Sequence, residues 1–200
     1  MDFDESLRVV APDIGGGFGA KLCVYSEEVA LVAASKLLKR SLKWTEDRRE
    51  YFTNAVHERD QYWTLEIAVD ADAKVLGIRG KVLHDTGAYT LQDPNIPYNS
   101  TSTMSGPYII PALGIEVTIA LSNKTPVSSV RGAGYPQAAF AMERLLDLVA
   151  REMKLDRAEV RRRNLIPASK MPYQKPLKTR AGMTIAATYP AAVISMGMKR

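Results

Sequence analysis

The stretch VAPDIGGGFGAK, at residues 10–21, places four glycines around the single aromatic residue Phe18 and marks the first sharp turn of the chain. Consecutive glycines let backbone N–H groups approach an oxygen-rich anion, because no Cβ stands in the way. The same pattern is also typical of a tight turn in which glycine only relieves strain. On these residues alone, both interpretations stay open.

Residues 15–20, GGGFGA, also fit the dinucleotide-binding pattern G-x-G-x-x-A. In that pattern the helix opens within the glycines, so that its first amides meet a pyrophosphate. Here the next helix is predicted to begin at Ser26, which is several residues too late. Nicotinamide-dinucleotide binding is therefore disfavoured. A P-loop is excluded, because no Ser or Thr follows Lys21.

The residues that flank the glycine stretch predict short strands and a helix. An apolar run predicts a strand over residues 7–10. Apolar residues at helical spacing predict a helix over 26–39, with Ser26 as its N-cap and acidic residues in its first turn. We expect a brief strand over 41–44 to return to the same sheet. The charged residues 46–49 are interpreted as a salt-bridged turn.

Alternating apolar residues then predict a β-hairpin, with strands over 63–69 and 76–82 joined by a turn rich in Asp. Residues 85–112 contain many Gly, Pro, Asn and Ser, and we expect a long, ordered excursion there. A further strand is predicted over 115–121 from its alternation. Together with the helices, this order predicts an α+β fold with a mixed sheet, rather than a regular βα alternation.

A second tight turn, RGAGYP at residues 131–136, precedes a predicted helix over 136–153. Arg131 has a rigid fork of donors that can hold a carboxylate or a phosphate, and the glycines beside it leave space for a ligand. An exposed arginine that caps a sheet edge is the alternative. Asp156 is predicted to cap a shorter helix that ends before Pro167.

The composition is that of an ordinary globular chain. Its 200 residues are 46% apolar and 24% charged, which excludes a largely disordered protein. No apolar run approaches the roughly 18–20 residues that a membrane-spanning helix needs. A net charge of +5 permits anionic ligands without specifying one. The lone Cys23 and the acidic, polar start of the chain favour a cytoplasmic location.

Several motifs resemble one family. The stretch at residues 10–21 is similar to the molybdenum subunit of the xanthine dehydrogenase and aldehyde oxidase family, and especially to the bacterial large subunits of aerobic carbon monoxide dehydrogenase or aldehyde dehydrogenase. The resemblance extends from about residue 7 to about residue 176. The other stretches that carry it are LKWTEDRRE at 42–50, RGAGYPQ at 131–137, MER at 142–144 and RRRNLI at 161–166.

The resemblance implies a molybdenum–molybdopterin cofactor, in its plain or cytosine dinucleotide form, with FAD and [2Fe-2S] clusters on partner subunits. By resemblance, the amides of Phe18 and Gly19 would hydrogen-bond an oxo ligand of the molybdenum. Arg131 would be catalytic, because it steadies negative charge on the substrate. No metal-ligating side chain is expected. The cofactor-binding residues implied are Gly16, Gly17, Phe18, Gly19, Gly132, Ala133 and Gly134.

Three departures from the family pattern limit what the resemblance implies. Gly132 stands where molybdenum–copper carbon monoxide dehydrogenases have a cysteine, which argues against carbon monoxide chemistry. Leu22 stands where xanthine-oxidising relatives have a glutamate, which weakens purine recognition. The catalytic glutamate of the family lies far beyond the matching region. We therefore expect a partial molybdopterin-binding domain over residues 1–183 and a divergent or truncated tail over 184–200.

Two hypotheses about function follow. The first is part of a molybdenum hydroxylase that oxidises an aldehyde or an N-heterocycle with water-derived oxygen. It would be incomplete alone and would need FAD and iron–sulfur subunits or a complementary molybdenum-subunit chain. The second is a non-catalytic remnant or subunit-interaction module without bound molybdenum. Nucleic-acid binding is disfavoured, because the basic residues do not alternate with aromatic ones.

Overall fold

The computed structural model describes residues 7–91, 95–178 and 184–187. Two short 3-10 turns, Ala20–Leu22 and Ala168–Lys170, accompany the longer elements. The mixed content confirms the predicted α+β fold. In chain order the elements are α1 (Ser26–Leu38), α2 (Arg48–Asn54), β1 (Gln61–Val69), β2 (Val75–Asp85), α3 (Asn95–Thr103), β3 (Leu113–Ala120), α4 (Tyr135–Met153), α5 (Arg157–Asn164), β4 (Tyr173–Lys178) and β5 (Thr184–Ala187).

The central sheet has the order β1-β2-β3. β1 and β2 pair antiparallel, with Trp63 opposite Val82, and this confirms the predicted hairpin. β3 lies parallel to β2, with Val117 beside Val82. A parallel neighbour requires a crossover connection. The predicted excursion at residues 85–112 supplies that crossover, and its described part includes α3.

Helix α4 forms the core together with the sheet. Its predicted start at Pro136 is one residue late, because Gly134 is the N-cap and Tyr135 the first helical residue. Leu146 and Met142 are almost fully buried, and they belong to the same apolar cluster as Ile78. Burying side chains of this size typically stabilises a domain by about 1.5–3 kcal/mol each.

Two of the predicted strands are wrong. Residues 7–10 and 41–44 form no regular structure and are exposed. An apolar or β-branched run becomes a strand only when a neighbouring strand accepts its backbone hydrogen bonds. Within the described residues, the three-stranded sheet consists of β1, β2 and β3 alone, so neither segment has such a neighbour.

The helix predicted over 26–39 is confirmed as α1, but its N-cap differs from prediction, and α2 was not predicted. Tyr25, not Ser26, caps α1, and its backbone N–H donates to the Glu28 carboxylate at 3.0 Å. The residues interpreted as a salt-bridged turn instead open α2. Its N-cap Asp47 accepts from the Glu50 N–H at 2.8 Å, and the Glu50 carboxylate accepts from the Asp47 N–H at 2.7 Å. This reciprocal capping box is a helix start signal that the sequence contained.

The C-terminal part of the chain holds a hairpin that the sequence did not predict. β4 and β5 pair antiparallel. The proposed domain boundary after residue 183 falls immediately before β5, and residues 188–200 lie outside the described ranges. None of the helices in the described ranges combines the length and the hydrophobicity that crossing a membrane requires.

Candidate cofactor-binding site

The two glycine turns meet in space. The backbone N–H of Arg131 donates to the carbonyl of Phe18 at 2.7 Å. The Arg131 guanidinium carbon lies 5.8 Å from the centroid of the Phe18 ring, within cation–π distance. Phe18 is 61% exposed, and Arg131 is exposed as well. The turns therefore present an aromatic ring and a cation side by side at the surface.

The first turn has a backbone shape that explains its glycines. Phe18 has a φ of +51° and Gly19 a φ of +99°. A Cβ at Gly19 would lie 2.5 Å from the carbonyl oxygen of Ser129, which is too close for any side chain. A Cβ at Gly16 would collide with the Phe18 ring, whereas one at Gly17 would meet nothing nearer than 3.6 Å. Glycine is thus required where the turn approaches residues 129–131.

The second turn is more strained than the first. Gly132, Ala133 and Gly134 have φ values of +110°, +41° and +100° in succession. For the alanine this conformation costs about 1–2 kcal/mol. A Cβ at Gly134 would lie 2.4 Å from the Ile96 carbonyl oxygen, so the turn is pressed against α3. Such a backbone persists only where its surroundings hold it.

Two side chains from distant parts of the chain hold the carbonyl groups of this second turn. Arg59 donates through Nη2 to the Arg131 carbonyl at 2.8 Å. Asn99 donates through Nδ2 to the Ala133 carbonyl at 2.9 Å. The sequence did not single out either residue, because nothing local distinguishes an arginine or an asparagine that supports a remote loop.

The donors of the site have no acceptors among the described residues. Across residues 7–91 and 95–178, nothing accepts from the backbone amides of Phe18 and Gly19, and no carboxylate pairs with the Arg131 guanidinium. Hydrogen-bond donors without acceptors, grouped beside one cation, fit an oxygen-rich anionic group. Molybdopterin and its metal-bound oxygens have that chemistry, so the residues present fit this cofactor.

A groove of about 530 Å³ starts beside the second turn and runs between β1 and α4. Trp63 and Leu65 form one wall, and Phe140 lines the opposite side. Gln137 is buried there, and neither atom of its side-chain amide has a partner in the described part of the chain. Within those same residues, no group of three or more His, Cys, Asp or Glu side chains converges on a point.

An α+β domain that groups unpaired amides and a guanidinium on one surface is suited to an oxygen-rich anionic ligand. Residues 4–165 match the family described as the molybdopterin cofactor-binding domain, and the chain belongs to that family. The match includes both glycine turns, Arg59 and Asn99. The resemblance found in the motifs is thereby confirmed.

Several oxidoreductases are similar to this chain. The large subunit of nicotine 6-hydroxylase from Paenarthrobacter nicotinovorans is 39% identical over 83% of this chain and 21% of its own length. Quinoline 2-oxidoreductase from Pseudomonas putida 86 is 32% identical, with a TM-score of 0.76 over 87% of this chain and 22% of its own. CO dehydrogenase from Oligotropha carboxidovorans is also 32% identical, with a TM-score of 0.79 over 94% and 24%. The chain spans about a fifth of the length of these relatives.

Proposed function

We propose that this chain is the part of a molybdenum hydroxylase that holds the molybdenum end of molybdopterin. The enzyme would oxidise an aldehyde or an N-heterocycle with oxygen derived from water. The observation that carries the proposal is the junction of the two turns, where unpaired amides and the Arg131 guanidinium lie beside the Arg131–Phe18 hydrogen bond of 2.7 Å.

Each residue has a role in this proposal. The amides of Phe18 and Gly19 would donate to an oxygen of the cofactor, while Gly16 and Gly17 keep the approach open. Arg131 would hold negative charge that develops on the substrate, a form of electrostatic preorganisation. Gly132, Ala133 and Gly134 would line the same space. When bound, the cofactor supplies the metal centre for oxygen transfer and two-electron oxidation.

The substrate class is supported by two kinds of observation. Two of the similar proteins are named as a nicotine hydroxylase and a quinoline oxidoreductase. Nicotine and quinoline are both nitrogen heterocycles. Gly132 and Leu22 replace the cysteine and the glutamate that the family resemblance associates with carbon monoxide and purines. We therefore favour an N-heterocycle or an aldehyde as the substrate.

The proposed reaction needs more polypeptide than these 200 residues. A general base must lie within hydrogen-bond reach of the group that it deprotonates. The family resemblance places that glutamate beyond this region, so we propose that further molybdenum-subunit sequence supplies it. FAD and iron–sulfur subunits would receive the electrons. We also propose the cytosine dinucleotide form of the cofactor and a cytoplasmic location, which mass spectrometry of the released cofactor and cell fractionation would test.

Molybdenum content is the direct test. The protein should be purified from a host that makes molybdopterin, both alone and co-expressed with neighbouring genes, and analysed by elemental mass spectrometry. We expect molybdenum in the co-expressed sample, because a cofactor held by several segments loses about 1–3 kcal/mol with each missing contact. Molybdenum in neither sample would contradict the proposal.

Replacement of Arg131 tests its assigned role. Arg131→Met in the molybdenum-loaded enzyme should lower kcat about 100-fold or more while the molybdenum content stays near that of the parent. Arg79→Met, at an exposed ion pair with Glu66 on the sheet, is the matched control and should retain activity. Assays of a quinoline-like heterocycle and an aromatic aldehyde in ¹⁸O-labelled water would identify the substrate class and the oxygen source.

The alternative of a non-catalytic module without molybdenum is not favoured. Unpaired donors grouped on one surface and a strained turn at residues 132–134 are both unfavourable unless a ligand interacts with them. A module without bound cofactor does not explain either feature. Loss of molybdenum from every preparation, together with unchanged subunit binding, would favour it.

A further inference from the structure

The strained second turn is hydrogen-bonded to Arg59, a charged residue on the connection between α2 and β1. The carbonyl of Arg131 accepts from Arg59 Nη2 at 2.8 Å, while the N–H of the same residue donates to Phe18 at 2.7 Å. Arg131 is therefore fixed through both of its backbone polar groups. The direction of its side chain depends on these two bonds.

Arg59 itself has an unusual backbone. Its φ is +86°, in a region that L-residues other than Asn, Asp and Gly rarely adopt. Burial of part of its side chain lowers the pKa of the Arg59 guanidinium. A backbone outlier and a partly desolvated charge are both unfavourable, and they occur together at a side chain that contacts the turn.

We propose that Arg59 is a positioning residue that holds the Arg131–Gly134 turn in the conformation in which the Arg131 guanidinium lies beside Phe18. Its hydrogen bond of 2.8 Å anchors the Arg131 carbonyl. The consequence for catalysis rests on the proposed function, whereas the structural link does not. Arg59 does not touch the cofactor or the substrate in this proposal.

Hydrogen–deuterium exchange of the 128–137 peptide tests the structural link in the full chain, co-expressed with its partners. Arg59→Met keeps the side-chain length and removes the donors. We expect amide exchange in this peptide to become about 10-fold faster or more, because a hydrogen bond from a charged donor is lost. Arg59→Lys retains the charge and one donor and should give an intermediate rate. Arg79→Met is the control and should leave the rate unchanged.

The outcomes separate this inference from the proposed function. Exchange in Arg59→Met that stays within about 2-fold of the parent overturns the inference, and so does equal acceleration in Arg79→Met. If Arg59→Met fails to fold, Arg59→Lys takes its place. It should accelerate exchange about 3-fold or more, and no acceleration overturns the inference. A parent protein without molybdenum would contradict the proposed function and leave the exchange result valid.

Kinetics of the loaded enzyme provide the second readout. Arg59→Met should lower kcat/KM about 10-fold or more at unchanged molybdenum content, because Arg131 is no longer held in place. If kcat/KM stays unchanged while amide exchange accelerates, the proposed effect of Arg59 on catalysis is overturned.

Discussion

At the scale of single residues, Gly19 and Gly15 show how position decides the need for glycine within one motif. Gly19 has a positive φ, and a Cβ there would collide with Ser129 and Val130. A Cβ at Gly15 would meet nothing within 4 Å. The sequence marks the two as equivalent, and only the docking of the first turn on residues 129–131 distinguishes them.

This difference predicts unequal effects of two identical substitutions. Gly19→Ala should destabilise the chain by about 1–3 kcal/mol, because it adds both backbone strain and a steric clash. Gly15→Ala is the matched control and should change stability by less than about 0.5 kcal/mol. Urea unfolding followed by circular dichroism would measure both. Equal effects would show that the turns do not dock as described.

Sequence reasoning found one half of the candidate site and missed the other. Phe18 and Arg131 lie in recognisable motifs, so both were identified before their contact was known. Arg59 and Asn99 were not identified, because their importance comes from the carbonyl groups that they reach. Such long-range partners leave no local pattern.

At the scale of elements, Asn164 joins α5 to the turn of the β1–β2 hairpin. Its Oδ1 accepts from the Val75 N–H at 2.8 Å, and its Nδ2 donates to the Ala73 carbonyl at 2.8 Å and the Val160 carbonyl at 2.9 Å. Asn164 is 3% exposed. The RRRNLI motif that carries Asn164 is therefore structural, in contrast to the two glycine turns.

Asn164→Ala should lower the free energy of unfolding by about 3 kcal/mol, because it leaves a buried N–H and a buried carbonyl unpaired. Asn54→Ala, at the exposed end of α2, is the control and should stay within about 0.5 kcal/mol of the parent. Chemical denaturation would measure both variants. A loss below about 1 kcal/mol in Asn164→Ala would contradict the structural role assigned to this side chain.

The end of β2 contains a pH-sensitive connection. The Asp85 carboxylate accepts from Lys124 at 2.8 Å, from the Ser122 hydroxyl at 2.6 Å and from the Gly87 N–H at 2.9 Å. The Lys124 ammonium, followed by these other two donors, lowers the pKa of Asp85 to about 2. The ionised carboxylate thus fixes the start of the crossover to β3.

A lowered pKa in the folded state stabilises the protein above the unfolded value of about 3.9. We expect this contribution to be complete above about pH 4 and to disappear as the pH falls towards 2. Asp85→Asn should abolish that part of the pH dependence, whereas Asp72→Asn, on the exposed hairpin turn, should preserve it. Urea unfolding across this pH range checks the prediction, and identical profiles for parent and Asp85→Asn would refute it.

Most of the elements that were predicted correctly have long periodic patterns, and α5 was predicted from its Asp156 N-cap. The β1–β2 hairpin and α4 have enough alternating or helical positions to identify them from local sequence. The strands expected at 7–10 and 41–44 are short apolar runs, and such runs become strands only beside a partner. Helix α2 was missed because its charges were interpreted as a turn, although the capping box was present.

At the scale of the whole molecule, large apolar side chains remain exposed on several described elements. Val29 and Leu37 on α1 are 59% and 83% exposed, and Phe140 on α4 is 71% exposed. None of the residues of α1 is buried. Exposed apolar surface of this extent is typical of an interface. We therefore propose that other polypeptide covers these faces in the assembled protein.

This expectation predicts that the apolar side chains contribute little to the stability of the chain itself. Leu37→Gln combined with Phe140→Gln should reduce self-association and the binding of a hydrophobic dye, with stability within about 1 kcal/mol of the parent. Leu146→Gln, fully buried in α4, is the contrasting control and should cost more than about 3 kcal/mol. A large stability loss in the double variant would show that the chain already buries these residues.

The sequence by itself determined the α+β class, the hairpin, the long helix α4 and the family, because periodicity and turn chemistry act between neighbouring residues. Tertiary structure alone decided the parallel pairing of β3 with β2, the contact of Phe18 with Arg131 and the hydrogen bond from Arg59 that holds the strained turn. These features depend on carbonyl groups and side chains that come together only when distant segments pack. Local sequence patterns do not predict such long-range contacts.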